Sequence, residues 1–265
     1  MHAQTGAEPS KGGRRFALRH NRDYLLLWSG QTVSLVGTQV SSIEFPLLIL
    51  AITHSPVQAG AAYALRSLPY IVLSLPVGAL IDRWDRKRVM ILCDSGRALA
   101  LGSIPVALAL GRLTIWQLYV AALVEGTLFV FFNLAEVACL PRVVTPEQLP
   151  VATARNNATE GISGLVGPSL SGALYTTARA LPFAADSLSY VASVISLLFV
   201  RAACQAERAT RQRALRAQIG EGFSWLWSHP LIRYLAFLTG GLNFIWAGAP
   251  LIVILLAQRQ GASPA

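Results

Sequence analysis

Seven long apolar runs dominate the chain, and each is long enough to cross a lipid bilayer, which takes about 20 helical residues. They cover roughly Tyr24–Ile52, Gln58–Ile81, Val89–Leu110, Ile115–Leu140, Ala158–Thr177, Pro182–Val200 and Leu231–Leu256. None alternates apolar and polar residues with the period of a strand. Backbone polar groups in lipid have to be satisfied within the segment, so the runs are expected to be helices. Composition agrees: 54% of residues are hydrophobic and 13% charged, with a mean hydropathy of +0.50. A soluble domain carries about 25% charged residues. The expected fold class is an all-α integral membrane protein, a six-helix bundle plus a seventh transmembrane helix.

The net charge of +9 raises the question of a nucleic-acid partner. The position of the basic residues answers it, because they fall almost entirely between the apolar runs, in separate loops. Lys and Arg crowd the tail before residue 23, the 82–88 loop, the 142–155 connection and the 201–216 connection. The intervening loops hold none, Arg112 alone and Arg179 alone. By the positive-inside rule, the N-terminus and the basic loops are expected in the cytoplasm, in a multi-pass protein of the cell (plasma or inner) membrane. The chain then divides into a basic tail (1–22), a six-helix unit (23–201), a linker (202–230) and a seventh helix with the end of the chain (231–265).

Enzymatic signatures are missing: there is no HExxH, no GxSxG and no P-loop. His2, His20, His54 and His229 have no metal-ligand spacing. Cys93, Cys139 and Cys204 make an odd count without CxxC spacing, so no disulfide framework is expected. Neither a cofactor nor a metal is expected, and membrane lipid is the surrounding partner.

Ionisable groups inside the runs cost roughly 2.5–3.5 kcal/mol to insert, so each is a functional candidate. Glu44 and Arg66 lie at similar depth on consecutive antiparallel helices and are expected to pair or share a cavity. Glu44 sits on one helical face with Ser34, Gly37 and Ser41, and Arg66 is flanked by Tyr63 and Tyr70. Glu125, Phe129, Phe132 and Glu136 share a face of the fourth helix, the two acids roughly 16 Å apart along the axis. A carboxyl buried at that depth suits proton transfer. Glu136 is grouped with Asp94, Arg97, Arg142 and Glu160 in a network near the cytoplasmic end. For each cluster a packing ion pair stands as the alternative to a proton or substrate site.

Two stretches carry a family resemblance. GALIDRWDRKRVMI, from Gly78 to Ile91, resembles the GxLaDrxGrkxxl loop motif of the major facilitator superfamily, with Gly78, Leu80, Asp82, Arg83, Arg86 and Lys87 in register and Asp85 replacing the second glycine. GISGLVGPSLSGAL is similar to the antiporter motif GxxxGPxxGG, through Gly167, Pro168 and Gly172, with Ser171 where the motif has glycine and Gly164 on the same helix. LPRVVTPEQLPVATARNNATEGISGLVGPSLSG and EGFSWLWSHPLIR resemble the drug- and siderophore-efflux branch, the enterobactin-exporter-like "transmembrane secretion effector" group. The resemblance implies two six-helix halves joined by a cytoplasmic linker and rocking between inward- and outward-open states. It implies that Asp82 and Arg86 latch the inner gate, Asp82 meeting a helix N-terminus of the second half, a contact worth about 0.3–2 kcal/mol. It also implies that the fifth helix, kinked at Pro168, lines the seam between halves and goes with proton antiport.

The expectation is therefore a secondary active transporter for a small-molecule substrate, with protons as the coupling ion. The layout of six helices, linker and one helix also raises a second hypothesis: a truncated, transport-inactive half that works as an assembly partner, or that needs a partner supplying the remaining helices.

Overall fold

A computed structural model describes residues 18–205, 220 and 224–242 of the chain. A short 3-10 turn at Leu18–His20 leads into six helices: α1 (Arg22–Thr53), α2 (Pro56–Ile81), α3 (Arg86–Ala109), α4 (Ile115–Val143), α5 (Leu149–Thr177) and α6 (Leu181–Phe199). Residues 230–242 are also helical, covering the start of the expected seventh run. The rest of that run, most of the linker and nearly all of the basic tail lie outside the described residues.

Local chemistry sets the helix ends. Asn21, Ser55, Asp85 and Thr114 each accept a hydrogen bond from the backbone N–H three residues on, capping α1 to α4. Pro56, Pro150 and Pro182 occupy first turns, where a missing N–H costs nothing. His54 closes α1 in the left-handed region at φ 52°, and Gly111 at φ 64° follows α3.

α1 packs most extensively on α6 and also on α5 and α2, while α3 lies against α4 and α6, and α2 against α4. Small residues allow the closest approaches. A methyl group added at Gly126 would overlap the backbone of Arg66, and one at Gly37 would overlap Asp186 and Ser189. The buried interior is layered. At the end that carries the 82–88 loop, called the basic end below, an apolar cluster gathers Tyr24, Met90, Cys139 and Leu197. At the other end a second cluster gathers Phe45, Ile49, Leu118 and Phe183. Between them, the middle turns of α1, α3, α4 and α6 bury Thr38, Asp94, Arg97, Glu125, Asp186 and Ser193.

Five described helices, α1 to α4 and α6, are long and apolar enough to cross a membrane. α5 departs from the expected set. It starts at Leu149, well before the apolar run at Ala158, and its first half carries Arg155, Asn156, Asn157 and Glu160. Its second half has Gly, Ser and Pro where the other helices have Leu, Val and Phe. α5 runs as one helix through Pro168, lies against α1, and leaves most of its small and polar surface uncovered.

Candidate functional site

The polar layer is an ion cluster drawn from five helices. On α4, Glu125 accepts hydrogen bonds from Arg66 Nε of α2 and, at 2.8 Å, from Arg97 Nη2 of α3. Arg97 also donates to Thr38 Oγ1 at 3.3 Å and to Asp94 Oδ1 at 3.5 Å. The Tyr190 hydroxyl of α6 lies 2.8 Å from Thr38 Oγ1 and 3.5 Å from Glu125 Oε1. The Arg97 guanidinium sits 4.1 Å from the Tyr190 ring centre. Glu125 is 1% exposed and Arg97 2%. Two cations and two carboxylates thus balance in a place where an isolated charge would be very costly.

This geometry corrects the expected Glu44–Arg66 pair. Depth along the helices was legible in the sequence, but the direction each side chain faces was not. Gly126 lets the α2 backbone at Arg66 come against α4, which turns Arg66 toward the neighbouring Glu125. Tyr70 is beside Phe129, with ring centres 6.4 Å apart. Glu44 instead faces α5, where Ser171 Oγ donates to its Oε1. Ser171 is the residue that departs from the glycine motif. Glu44 is fully buried and its Oε2 has no partner. Glu125, expected as a buried carboxyl suited to proton transfer, is instead held by two guanidinium groups.

Asp186 was missed. It lies within the sixth apolar run, fully buried, with Oδ1 accepting from Ser189 Oγ at 3.1 Å and Oδ2 unpartnered. The rule that selected Glu44 selects Asp186 equally. Tyr190 and Thr38 had no comparable signal, since a Tyr or Thr in an apolar run is ordinary core.

The expected basic-end network is divided. Arg97 and Asp94 belong to the ion cluster, and Arg142 is exposed without an ion pair among the described residues. Glu136 and Glu160 instead line a cavity of about 400 Å³ between α1, α4 and α5, along with Trp28, Phe129, Phe132 and Asn156. Arg97 reaches the same cavity, linking it to the ion cluster.

At the basic end, Arg86 is 7% exposed and knits the loop to its surroundings. Its guanidinium donates to Asp82 Oδ1 at 3.1 Å, to the Ala138 carbonyl at 2.9 Å and to the Cys204 carbonyl at 3.3 Å. Lys87 Nζ donates to the carbonyls of Val200 at 2.6 Å and Leu198 at 3.2 Å, a cation on the negative end of α6. Asp85, the departure from the motif, works as the N-cap of α3. The Asp82 side chain is 69% exposed. Arg83 is half-buried, and a methyl group at Gly78 would meet nothing. In the α5 motif, Gly167 is required by the approach of Gln39, Gly164 borders the Gln39 amide, and Gly172 faces open space. A disulfide joins Cys139 to Cys204, against the expectation from cysteine count, while Cys93 is free and buried. The count misled because two cysteines 65 residues apart meet only once α4 and the segment after α6 are packed.

Long apolar helices around a buried charged layer define a multi-pass membrane protein. The family model described as Major Facilitator Superfamily matches residues 27–264. The chain belongs to that superfamily, whose members are membrane transporters rather than enzymes. It is similar to macrolide efflux protein A of Streptococcus pyogenes, with 27% identity over 67% of this chain and 44% of that protein. It is similar to the multidrug efflux pump Tap of Mycolicibacterium fortuitum, with 26% identity over 80% of this chain and 54% of Tap. It also resembles the uncharacterized transporter YfiS of Bacillus subtilis, with 28% identity over 93% of this chain and 59% of YfiS. The chain therefore spans about half the length of the curated relatives it matches. No solved structure matches it.

Proposed function

We propose that the chain forms the N-terminal half of a proton-coupled exporter of drugs, siderophores or similar small molecules, working by alternating access in a bacterial inner membrane. The N-terminus and the basic end face the cytoplasm. The observation that carries this reading is a buried ionisable layer at mid-depth opening, through Arg97, onto a cavity of about 400 Å³, the size range of small-molecule sites. Two relatives named as efflux proteins support the direction of transport.

Roles follow from the geometry. Glu44, buried with one oxygen unpartnered and no cation beside it among its described hydrogen bonds and ion pairs, is the proton carrier. Its neighbour Ser171 is on α5, the helix with the uncovered small-residue face, so protonation changes a contact between α1 and the moving seam. Glu125, shared by Arg66 and Arg97, transmits a change in that layer to α2, α3 and α4. The Asp82–Arg86 latch sets the closed inner gate.

The test is ethidium accumulation in everted membrane vesicles. It is expected to need a proton gradient and to be lost in Glu44→Gln, with the protein still inserted. Uptake that survives a proton ionophore, or a fully active Glu44→Gln, would sink the coupling role.

A further inference from the structure

A second hollow, of about 380 Å³, opens at the start of α1. Its rim is Arg19, His20 and Arg22, all exposed, and its wall includes Leu25, Leu26 and Trp28. Arg19 and Arg22 make no ion pair among the described residues. The acid next to them in sequence, Asp23, accepts a hydrogen bond from the backbone N–H of Arg201 at 3.0 Å.

Below the rim the wall continues as a furrow. Arg22, Leu25, Leu26, Ser29 and Val33 share one stripe of α1. α5 and α6 border that stripe: Trp28 Nε1 donates to Thr159 of α5 at 3.1 Å, and the Leu26 carbonyl accepts from Ser196 of α6. Ser29 turns its hydroxyl back to the Leu26 carbonyl at 3.2 Å, so it presents no free donor to the furrow. Val33 is 48% exposed. From Arg22 to Val33 the stripe runs about 16 Å along the axis, about half of a hydrocarbon core of roughly 30 Å. Cations therefore stand where the apolar run begins, at headgroup level, and an apolar furrow one leaflet deep runs on from them.

This order of chemistry selects the occupant. Two guanidinium groups suit a phosphate, which they meet with charge-assisted hydrogen bonds. A zwitterionic headgroup would bring its own ammonium against them. The chain's own segments 1–17 and 206–219 carry Lys11, Arg14, Arg15 and Arg208, Arg211, Arg213, Arg216, the same sign of charge as the rim. A free phosphate would satisfy the rim and leave the furrow unused. We propose that the start of α1 binds an anionic glycerophospholipid, its phosphate between Arg19 and Arg22 and one acyl chain along Leu25, Leu26 and Ser29. The site does not rest on the efflux function proposed above.

The test is native mass spectrometry of the full chain in detergent, offered equal amounts of phosphatidylglycerol and phosphatidylethanolamine with the same acyl chains. Phosphatidylglycerol adducts are expected to exceed phosphatidylethanolamine adducts by at least about fivefold, the factor that one arginine at a charged headgroup supplies. Arg19→Gln/Arg22→Gln is expected to bring the two adducts within about twofold of each other. Arg88→Gln, which removes an exposed arginine of α3 at the same end, is expected to leave the preference within about twofold of the unmodified chain. All three arginines are exposed, so the variants are expected to keep the fold. Glycerol phosphate in excess is expected to leave the phosphatidylglycerol adduct in place. Equal binding of the two lipids to the unmodified chain overturns the proposal without any variant, and so does a preference that survives Arg19→Gln/Arg22→Gln. A preference lost as fully in Arg88→Gln shows attraction to net charge alone and overturns the site. Displacement by glycerol phosphate leaves a phosphate site and overturns the lipid assignment.

Discussion

Removing the charge of Glu125 tests the ion cluster most sharply. In Glu125→Gln, Arg66 loses its carboxylate and Arg97 keeps only Asp94, at 3.5 Å. The Arg66 side chain is 15% exposed and Arg97 is 2% exposed, so the charge left over is poorly solvated. Breaking a buried pair by removing one partner costs about 3–5 kcal/mol. For a unit of 150–250 residues each kcal/mol shifts Tm by about 2–4 °C, so the expected fall is about 6–20 °C. Arg66→Met alone leaves Glu125 with Arg97 and is expected to cost less. The double variant Arg66→Met/Glu125→Gln restores the balance of Arg97 with Asp94, and its loss is expected to be smaller than the sum of the two single losses. Thermal unfolding of detergent-solubilised protein, followed by tryptophan fluorescence, reads all three. A fall below about 2 °C in Glu125→Gln, or a double variant as poor as the sum of the singles, refutes charge balance as the reason the cluster exists.

Other outcomes follow from the same structure. Arg86→Ala removes bonds to Ala138, Cys204 and Asp82 together and is expected to expose the basic end to limited proteolysis, whereas Asp82→Asn, at an exposed carboxylate, is expected to change stability by about 0–1 kcal/mol. Gly167→Leu forces α5 away from Gln39 and is expected to lower Tm, while Gly172→Leu meets open space in this half and is expected to be neutral in the isolated chain. Alkylation of the denatured, unreduced chain is expected to modify Cys93 alone, and after reduction all three cysteines, read by intact mass.

The helices were legible because their signal is local: a run of apolar residues, a capping Asn, Ser, Asp or Thr, and a proline in the first turn. Glu44, Arg66 and Glu125 were legible as charges inside apolar runs, whereas Arg97 and Asp94, expected near the cytoplasmic end, belong to the layer around Glu125. Partner choice was not legible, because it depends on how helices turn about their axes. That turn is set by contacts such as Gly126 on the Arg66 backbone and Gly37 on Asp186, which join residues far apart in the chain. The same holds for Ser171 on Glu44 and for Cys139 with Cys204. α5 was underestimated in length because its polar first half lines a cavity instead of facing lipid.

The most direct measurement of the central claim is proton movement in proteoliposomes holding the chain together with whatever second half completes it, with a pH-sensitive dye inside. Imposing an outward substrate gradient is expected to drive protons in the opposite direction, and Glu44→Gln is expected to abolish that flux while retaining substrate binding. Substrate movement with no proton countermovement, or an unchanged flux in Glu44→Gln, would contradict it.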